Sequence, residues 1–389
     1  MSQRVAIFTF HFSDNVGALL QTYGLANFLR SRGVDAHVVD YHPAHVEDGG
    51  AFLPPVSKQN IRADIIIAYQ KMTKFINATF GNKEQVLKSA SFRENHLFVS
   101  ETPYSTLQQL LQSPPEEPVY ICGSDQIWNP SPQFGVDPAY FLSFGDEAKT
   151  RISYAASFGK DSLEPRFSHE VGSYIDKFNA VSIREETGVN IVKQVSSKPV
   201  HWLPDPTLLI ENYDNVIHRP SESRPYIFSY VLRSGKDIVE LQRYLAEKYN
   251  LGVVTPHNPM RRWKTYGKTI FPGPQEWLGY LHDARYVITN SFHGTVFSVL
   301  FNKPFVSVGL SGKKSGLNAR ARSFLGKVGL QDRLLVDPDR ESLDALLNKE
   351  IDWSEVNSKV AAWRKEGQDF LLENIMASDG KLIPSEASL

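Results

Sequence analysis

Residues 286–310 read YVITNSFHGTVFSVLFNKPFVSVGL. Residues 286–289 have strand character, and so do 305–308. Between them residues 294–301 carry the apolar content of a short buried helix, which Asn302-Lys303-Pro304 stops. This is a strand–helix–strand unit, and Thr289, Asn290, Ser291, Phe292 and His293 stand at its first switch. Open α/β sheets bind ligands beyond the carboxyl ends of their strands, where free helix N–H groups attract anions. A titratable imidazole there is placed for chemistry on an anionic substrate. The plainer reading of His293 is a residue that caps the helix or bonds a backbone carbonyl.

The same alternation spreads outward in both directions. Residues 4–10, 36–41, 118–122, 151–157 and 180–183 read as strands of a first half, with an amphipathic helix over 15–30 that Gly33 ends. Residues 211–224 are polar and turn-rich, the best linker in the chain. A second half follows, with strands over 226–232 and 252–256, helices over 236–249 and 274–281, and then the focal unit. Residues 42–117, which hold Pro54-Pro55 and Pro114-Pro115, break the alternation. They read as a helical insertion with helices near 61–79, 84–97 and 105–112, able to shape an acceptor groove. A segment over 317–328, a strand at 334–335, a helix over 341–348 and one long helix over 352–377 complete the chain, with a disordered tail beyond. The expected fold is α/β, with two Rossmann-like domains, residues 1–210 and 225–350, facing a cleft. No G-x-G-x-x-G follows the first strand, so dinucleotide binding is not indicated.

Several polar residues fall at strand ends. Asp14 or Asn15 can cap the first helix, and Gly17 lets a ligand approach the backbone. The strand 118–122 runs into Gly123-Ser124-Asp125-Gln126, where Asp125 could orient a ligand hydroxyl, take its proton, or simply cap the turn. Arg184 ends strand 180–183 and either grips an anion or pairs with Glu185 or Glu186. Asp205, between two prolines, is held extended and reads as structural. Arg233-Ser234-Gly235-Lys236 is a basic turn before a helix, a generic phosphate site. His257 ends the strand 252–256.

Composition narrows the class. A chain of 389 residues is long for one core and suggests two domains. With 41% hydrophobic and 22% charged residues it is globular in type, and a formal net charge of −1 argues against a nucleic-acid binder. Basic residues cluster locally at Lys313, Lys314, Arg320 and Arg322. Cys122 is the single cysteine, which leaves no disulfide and no cysteine-based zinc cluster. No stretch approaches the ~18–20 apolar residues that span a bilayer. The chain is expected to be cytoplasmic, with association at the inner face of a membrane left open.

The segment T-x-S-F-H-G-T-x-F-S ending in His293 and its neighbours, followed by a K-P-F strand, resembles the signature of the polysaccharide pyruvyl transferase family. Further similarities lie in F-S-D-N-V-G-A-L-L-Q, G-S-D-Q-I-W-N, S-Y-A-A-S-F-G, V-S-I-R-E and D-P-T, together covering most of residues 4–335. The two halves and the last helix also resemble the GT-B architecture of glycosyltransferases, in which the last helix returns to the first domain. The resemblance implies that phosphoenolpyruvate donates its three-carbon unit to a sugar acceptor, which could be lipid-linked. It implies an anion-binding role for Arg184, with Ser291, Phe292 and Arg233 near the donor, and His293 as acid and base. Asn15, Gly17, Asp125, Gln126 and His257 are then assigned to the acceptor or the cleft. No metal or nicotinamide cofactor is required by this scheme. One departure stands out: branches with S-R-L-H have an arginine where this chain has Ser291, so another cation must take its place. Arg233, Lys236 and the Lys313–Arg322 cluster are the candidates. The rival readings are a nucleotide-sugar glycosyltransferase on the same architecture and a non-catalytic component of a polysaccharide assembly complex.

Overall fold

Runs such as Val119–Cys122, Tyr226–Tyr230 and Phe305–Gly309 are buried at every position. A sheet with one wet face would alternate instead, so these strands must be covered on both sides, as in parallel sheets packed between helices. The computed structural model describes residues 3–43, 83–131, 135–222, 224–233, 236–258 and 266–377, and also 61, 64, 65, 68, 69, 71 and 72.

Two parallel sheets result. The first comprises β1 (Arg4–Phe8), β2 (Asp35–Tyr41), β3 (Val99–Tyr104), β4 (Val119–Cys122), β5 (Thr150–Ala156), β6 (Ala180–Ile183) and β7 (Val200–Trp202). Its spatial order is β3-β2-β1-β4-β5-β6-β7, and every neighbouring pair is parallel. The second comprises β8 (Tyr226–Tyr230), β9 (Gly252–Pro256), β10 (Lys268–Ile270), β11 (Tyr286–Thr289), β12 (Phe305–Gly309) and β13 (Leu334–Val336). They lie in the order β10-β9-β8-β11-β12-β13, again all parallel. Strand order reverses between β1 and β4 and between β8 and β11, the switch points at which doubly wound sheets open a crevice.

Strands β3, β7 and β10 depart from the sequence reading, and all three are sheet edges. β3 lies inside 42–117, the segment expected to be wholly helical. Its sequence VSETPY is mostly exposed and contains Pro103, which an edge tolerates because one side of the strand needs no partner. β7 and β10 have three residues each, too few to show a period. The helices Lys83–His96 and Leu107–Gln112 of the same segment are present. The helix expected near 61–79 and the tail beyond residue 377 lie largely or wholly outside the described residues.

The seam between the domains is itself apolar core. Val16, Leu19 and Leu20 of the Val16–Ser31 helix share one cluster with Trp277, Val296 and Phe297 of the second domain. Each such side chain contributes roughly 1.5–3 kcal/mol on full burial. The last helix, Trp353–Ala377, crosses this seam as expected. Val356, Val360 and Trp363 belong to the seam cluster, while Phe370, Leu371 and Ile375 pack on Val5, Ile7 and Tyr154 of the first domain. Trp363 Nε1 donates to the Trp202 carbonyl at 3.2 Å and Gln368 Nε2 to that of Leu209 at 2.9 Å.

Candidate active site

β11 ends in Thr289, whose Oγ1 donates to the Tyr230 carbonyl at 2.6 Å and accepts the Ser291 N–H at 3.0 Å. That pins the turn from which the Phe292–Leu300 helix starts, with the Ser291 Oγ accepting the Gly294 N–H at 3.4 Å as its cap. Gly294 has to be small, because a Cβ there would strike Thr289 Oγ1. Thr295 and Ser298 lie on this buried helix and satisfy their hydroxyls on the Ser291 and Gly294 carbonyls, at 3.0 and 2.7 Å. Both hydroxyls are thus paired within the helix, and His293 sits in its first turn.

The His293 ring is 6% exposed and is gripped from the first domain. A Cβ on Gly17 would collide with its Nδ1, so glycine is what admits the imidazole to the start of the Val16–Ser31 helix. Nε2 lies 3.5 Å from Asp205 Oδ2, and it makes no hydrogen bond. The pair is an electrostatic contact. Asp205 is buried and well held. Its Oδ1 accepts the Thr207 N–H at 3.0 Å and the Thr207 hydroxyl at 2.7 Å, and its Oδ2 accepts Arg184 at 2.6 Å. Burial works to raise this carboxyl, but His293, Arg184 and the Thr207 N–H together hold it well below the usual carboxylate range.

Arg184 lies beneath the cleft rather than in it. It is 2% exposed and bridges Asp205 and Asp125, at 2.6 and 3.3 Å. Burial alone would lower its guanidinium, yet Asp205, Asp125 and Glu185 keep it raised. Glu185 is not its surface partner either. That carboxylate is buried and accepts the Ser157 hydroxyl and the Phe158 and Gly159 N–H groups, at 3.0, 2.9 and 3.2 Å. Burial raises the Glu185 carboxyl despite the nearby Arg184 and Arg320.

Arg184 lies 4.6 Å from the centre of the Phe292 ring, and a second guanidinium, that of Arg320, lies 5.7 Å from the same centre. Arg320 lines the cleft, and its Nε is buried without a hydrogen-bond partner. Burial, with the like charge of Arg184, pulls it down to about 10, so it remains a cation at neutral pH.

The cleft itself has a volume of about 220 Å³. Asn15, Asp125 and Gln126 line it from the first domain, and Arg233, Ser291, Phe292 and His293 from the second. Asn15 caps the Val16–Ser31 helix through its Oδ1, 2.9 Å from the Gly17 nitrogen. Asp125 accepts the Gln126 N–H at 2.9 Å. Gln126 in turn accepts from Asn129 at 2.8 Å. Asn290 bonds the Leu232 N–H at 2.7 Å and the Arg233 carbonyl at 2.7 Å, and so fixes the loop that carries Arg233. His257 does not reach this cleft. It stands on Phe271, their ring centres 5.1 Å apart, in an adjoining cavity of about 300 Å³ that shares Asn15 and Leu232 with the first. Ser234, Gly235 and the side chains of Lys236, Lys313 and Lys314 lie outside what is described.

Sequence reasoning misses one member of this set and reaches another only as part of a group. Asp205 was read as structural because nothing in a P-D-P context announces a histidine 88 residues away. Arg320 was visible only as one of a basic cluster. Among the described residues, no helix is long and apolar enough to cross a membrane.

The family profile described as polysaccharide pyruvyl transferase matches residues 15–312. No curated protein matches the chain in sequence at a significant level. Among solved structures the chain is similar to S. aureus MnaA in its UDP co-structure, with 11% identity, 100% of this chain and 99% of that chain covered, and a TM-score of 0.52. It is also similar to UDP-GlcNAc 2-epimerase from Neisseria meningitidis bound to UDP-GlcNAc, with 9% identity, coverage of 96% and 100%, and a TM-score of 0.46. The glycosyltransferase SnogD from Streptomyces nogalater gives 12% identity, coverage of 97% and 100%, and a TM-score of 0.44. At such identities the likeness is one of fold alone.

Proposed function

The chain belongs to the polysaccharide pyruvyl transferase family, and from that premise we propose that it moves the pyruvyl group of phosphoenolpyruvate onto two hydroxyls of a sugar, closing a cyclic ketal. The observation that carries this reading is the meeting of His293 and the unpaired Arg320 in one cleft. The donor brings a carboxylate and a phosphate, and Arg320, Arg233 and the N–H groups behind Ser291 supply the positive field for them. Arg320 thus takes the place of the arginine that Ser291 replaces. Arg184, with both carboxylates bound, acts as a positioning residue that holds Asp205 and Asp125.

In the reaction the donor's methylene carbon gains a proton and becomes a methyl group, leaving an electron-poor carbon beside it. One sugar hydroxyl attacks that carbon. The carbon–oxygen bond to phosphate then breaks, and the second hydroxyl closes the ring. In net balance, of the two protons lost by the hydroxyls, one ends on the methyl group and one on the departing phosphate. His293 enters as the imidazolium, which ionised Asp205 stabilises, gives its proton to the methylene carbon, and regains one from the attacking hydroxyl, while the proton of the second hydroxyl leaves with phosphate. The adjoining cavity with His257 is then the acceptor's side.

Incubation with phosphoenolpyruvate and a panel of lipid-linked acceptors tests the reading through phosphate release that depends on acceptor. Release of nucleoside diphosphate from a nucleotide-sugar would instead establish the glycosyltransferase, and neither product would leave a non-catalytic component.

A further inference from the structure

At the carboxyl edge of the first sheet, away from the residues assigned above, β1 and β2 end beside one another and bring His11, Asp40 and His42 together. One ligand atom from each lies within 4.8 Å of the others. Both imidazoles approach the same oxygen: His11 Nε2 is 3.1 Å and His42 Nε2 2.6 Å from Asp40 Oδ1. The other nitrogen of His11, Nδ1, lies 3.1 Å from the Thr9 carbonyl oxygen. A carbonyl can only accept, so Nδ1 must carry the proton. In a neutral His11 the Nε2 lone pair is then aimed at a carboxylate oxygen, and two acceptors face each other at contact distance with His11 only 1% exposed.

A second proton on Nε2 or a metal cation between them removes that conflict, and a third donor, His42, converges on the same oxygen. We propose that His11, Asp40 and His42 form a binding site for a divalent transition-metal ion. The donor set is two imidazoles and one carboxylate, which suits zinc, cobalt, iron or manganese rather than the all-oxygen magnesium or calcium. Bonds of about 2.0–2.1 Å in a tetrahedral shell put ligand atoms about 3.3 Å apart, close to the His11 separation and reached by His42 on a small ring movement. The outer shell is also in place. Thr9 fixes the His11 tautomer, as a ligand histidine requires, and the Ser100 hydroxyl holds the Asp40 main chain by accepting its backbone N–H at 3.1 Å. Thr9 Oγ1 donates to the Ser124 carbonyl at 3.1 Å and accepts from Gln21 at 2.8 Å. The site is thereby joined through buried polar groups to the turn bearing Asp125. The His42 side chain is 36% exposed, so a metal would enter from that side and keep an open position for water or an oxygen ligand.

The test uses tag-free protein stripped with a chelator and titrated with cobalt(II), followed by visible absorption and calorimetry, then by zinc displacement. One cobalt per chain with a ligand-field band, displaced by zinc and untouched by millimolar magnesium, is the expected result. His42→Ala, at the open side, should weaken zinc binding by at least about tenfold with an unchanged melting curve. Asp40→Asn should do the same, and His11→Ala serves as a third variant where it folds. Absence of stoichiometric binding, or binding that both His42→Ala and Asp40→Asn leave intact, overturns the proposal. The cluster would then be an ion pair of a doubly protonated His11 with Asp40.

Discussion

Arg184 and Arg320 present two guanidiniums to the same Phe292 ring, yet their surroundings are opposite. Arg184 lies between two carboxylates and is closed off from the cleft. Arg320 faces the cleft and has a buried Nε with no partner. The sequence context of Arg184, at the end of a parallel strand, is the stronger signal for an anion-binding arginine. In the proposed reading its pairing with Asp205 and Asp125 leaves Arg184 less charge to offer a third anion than Arg320 has. Arg320 feels the same carboxylates at longer range, and what sets it apart is a donor left without a hydrogen-bond partner at the cleft wall.

The largest effect is expected at the imidazole between the two regions. His293→Ala should lower turnover by ~10²–10⁴ while melting and donor affinity stay near those of the wild type. His293→Gln keeps a polar contact but cannot transfer a proton, so it should be almost as poor. Gln activity within a few-fold of wild type would move His293 to the anion-binding side of the comparison.

Next comes the paired arginine. Arg184→Ala leaves the buried Asp205 carboxylate without its closest counter-ion, which costs about 3–5 kcal/mol of stability, read as a shift in the denaturant midpoint. If Arg184→Ala is instead as stable as wild type and only its Michaelis constant for phosphoenolpyruvate rises, the contrast with Arg320 collapses. Arg320→Ala should behave in the reverse manner. Its Michaelis constant for phosphoenolpyruvate should rise by about one to two decades, the loss of a charge-assisted contact of roughly 1.5–3 kcal/mol, with melting little changed. Arg320→Lys should recover part, because an ammonium lacks the forked donor geometry.

The smallest effect is a slope. The Asp205 carboxyl is depressed in the folded chain, so its stabilising contribution is complete above the ordinary carboxyl value and fades as pH falls below it. As pH falls from about 4 to 3 the unfolded chain takes up a growing fraction of a proton that the folded carboxyl refuses, and below about pH 3 the lag approaches one proton, worth up to ~1.4 kcal/mol per pH unit. Asp205→Asn should show an acid limb shallower by that amount. An identical slope would mean that Asp205 is not ionised beside His293 and Arg184.

The interior strands of both sheets were legible because burial on both faces leaves unbroken apolar runs, as in Val119–Cys122 and Phe305–Gly309. The edges β3, β7 and β10 were not, because an edge is short and half wet. His293, Ser291, Asp125 and Arg233 were legible as polar residues at strand ends, where topology alone gathers them. The partnership of His293 with Asp205 and Gly17 was not, since it forms across the seam and depends on how two domains pack. The same holds for Arg320, whose role rests on what its neighbours leave unpaired rather than on its own spacing. His11, Asp40 and His42 escaped notice because their convergence comes from two adjacent strands ending at the same height.

The Trp353–Ala377 helix returns across the seam, and with the 211–224 linker it makes two straps between the halves, one covalent and one packed, laid over a joint filled with Leu19, Leu20 and Phe297. A jaw that gaped would have to tear that filling and lift His293 off Gly17. Ligand traffic should therefore use a doorway at the rim, where Arg233 and Gln126 stand, with side chains swinging aside while the frame stays shut. Donor uptake would then follow a single fast phase without a slow closing step, and phosphate would leave by the way it came.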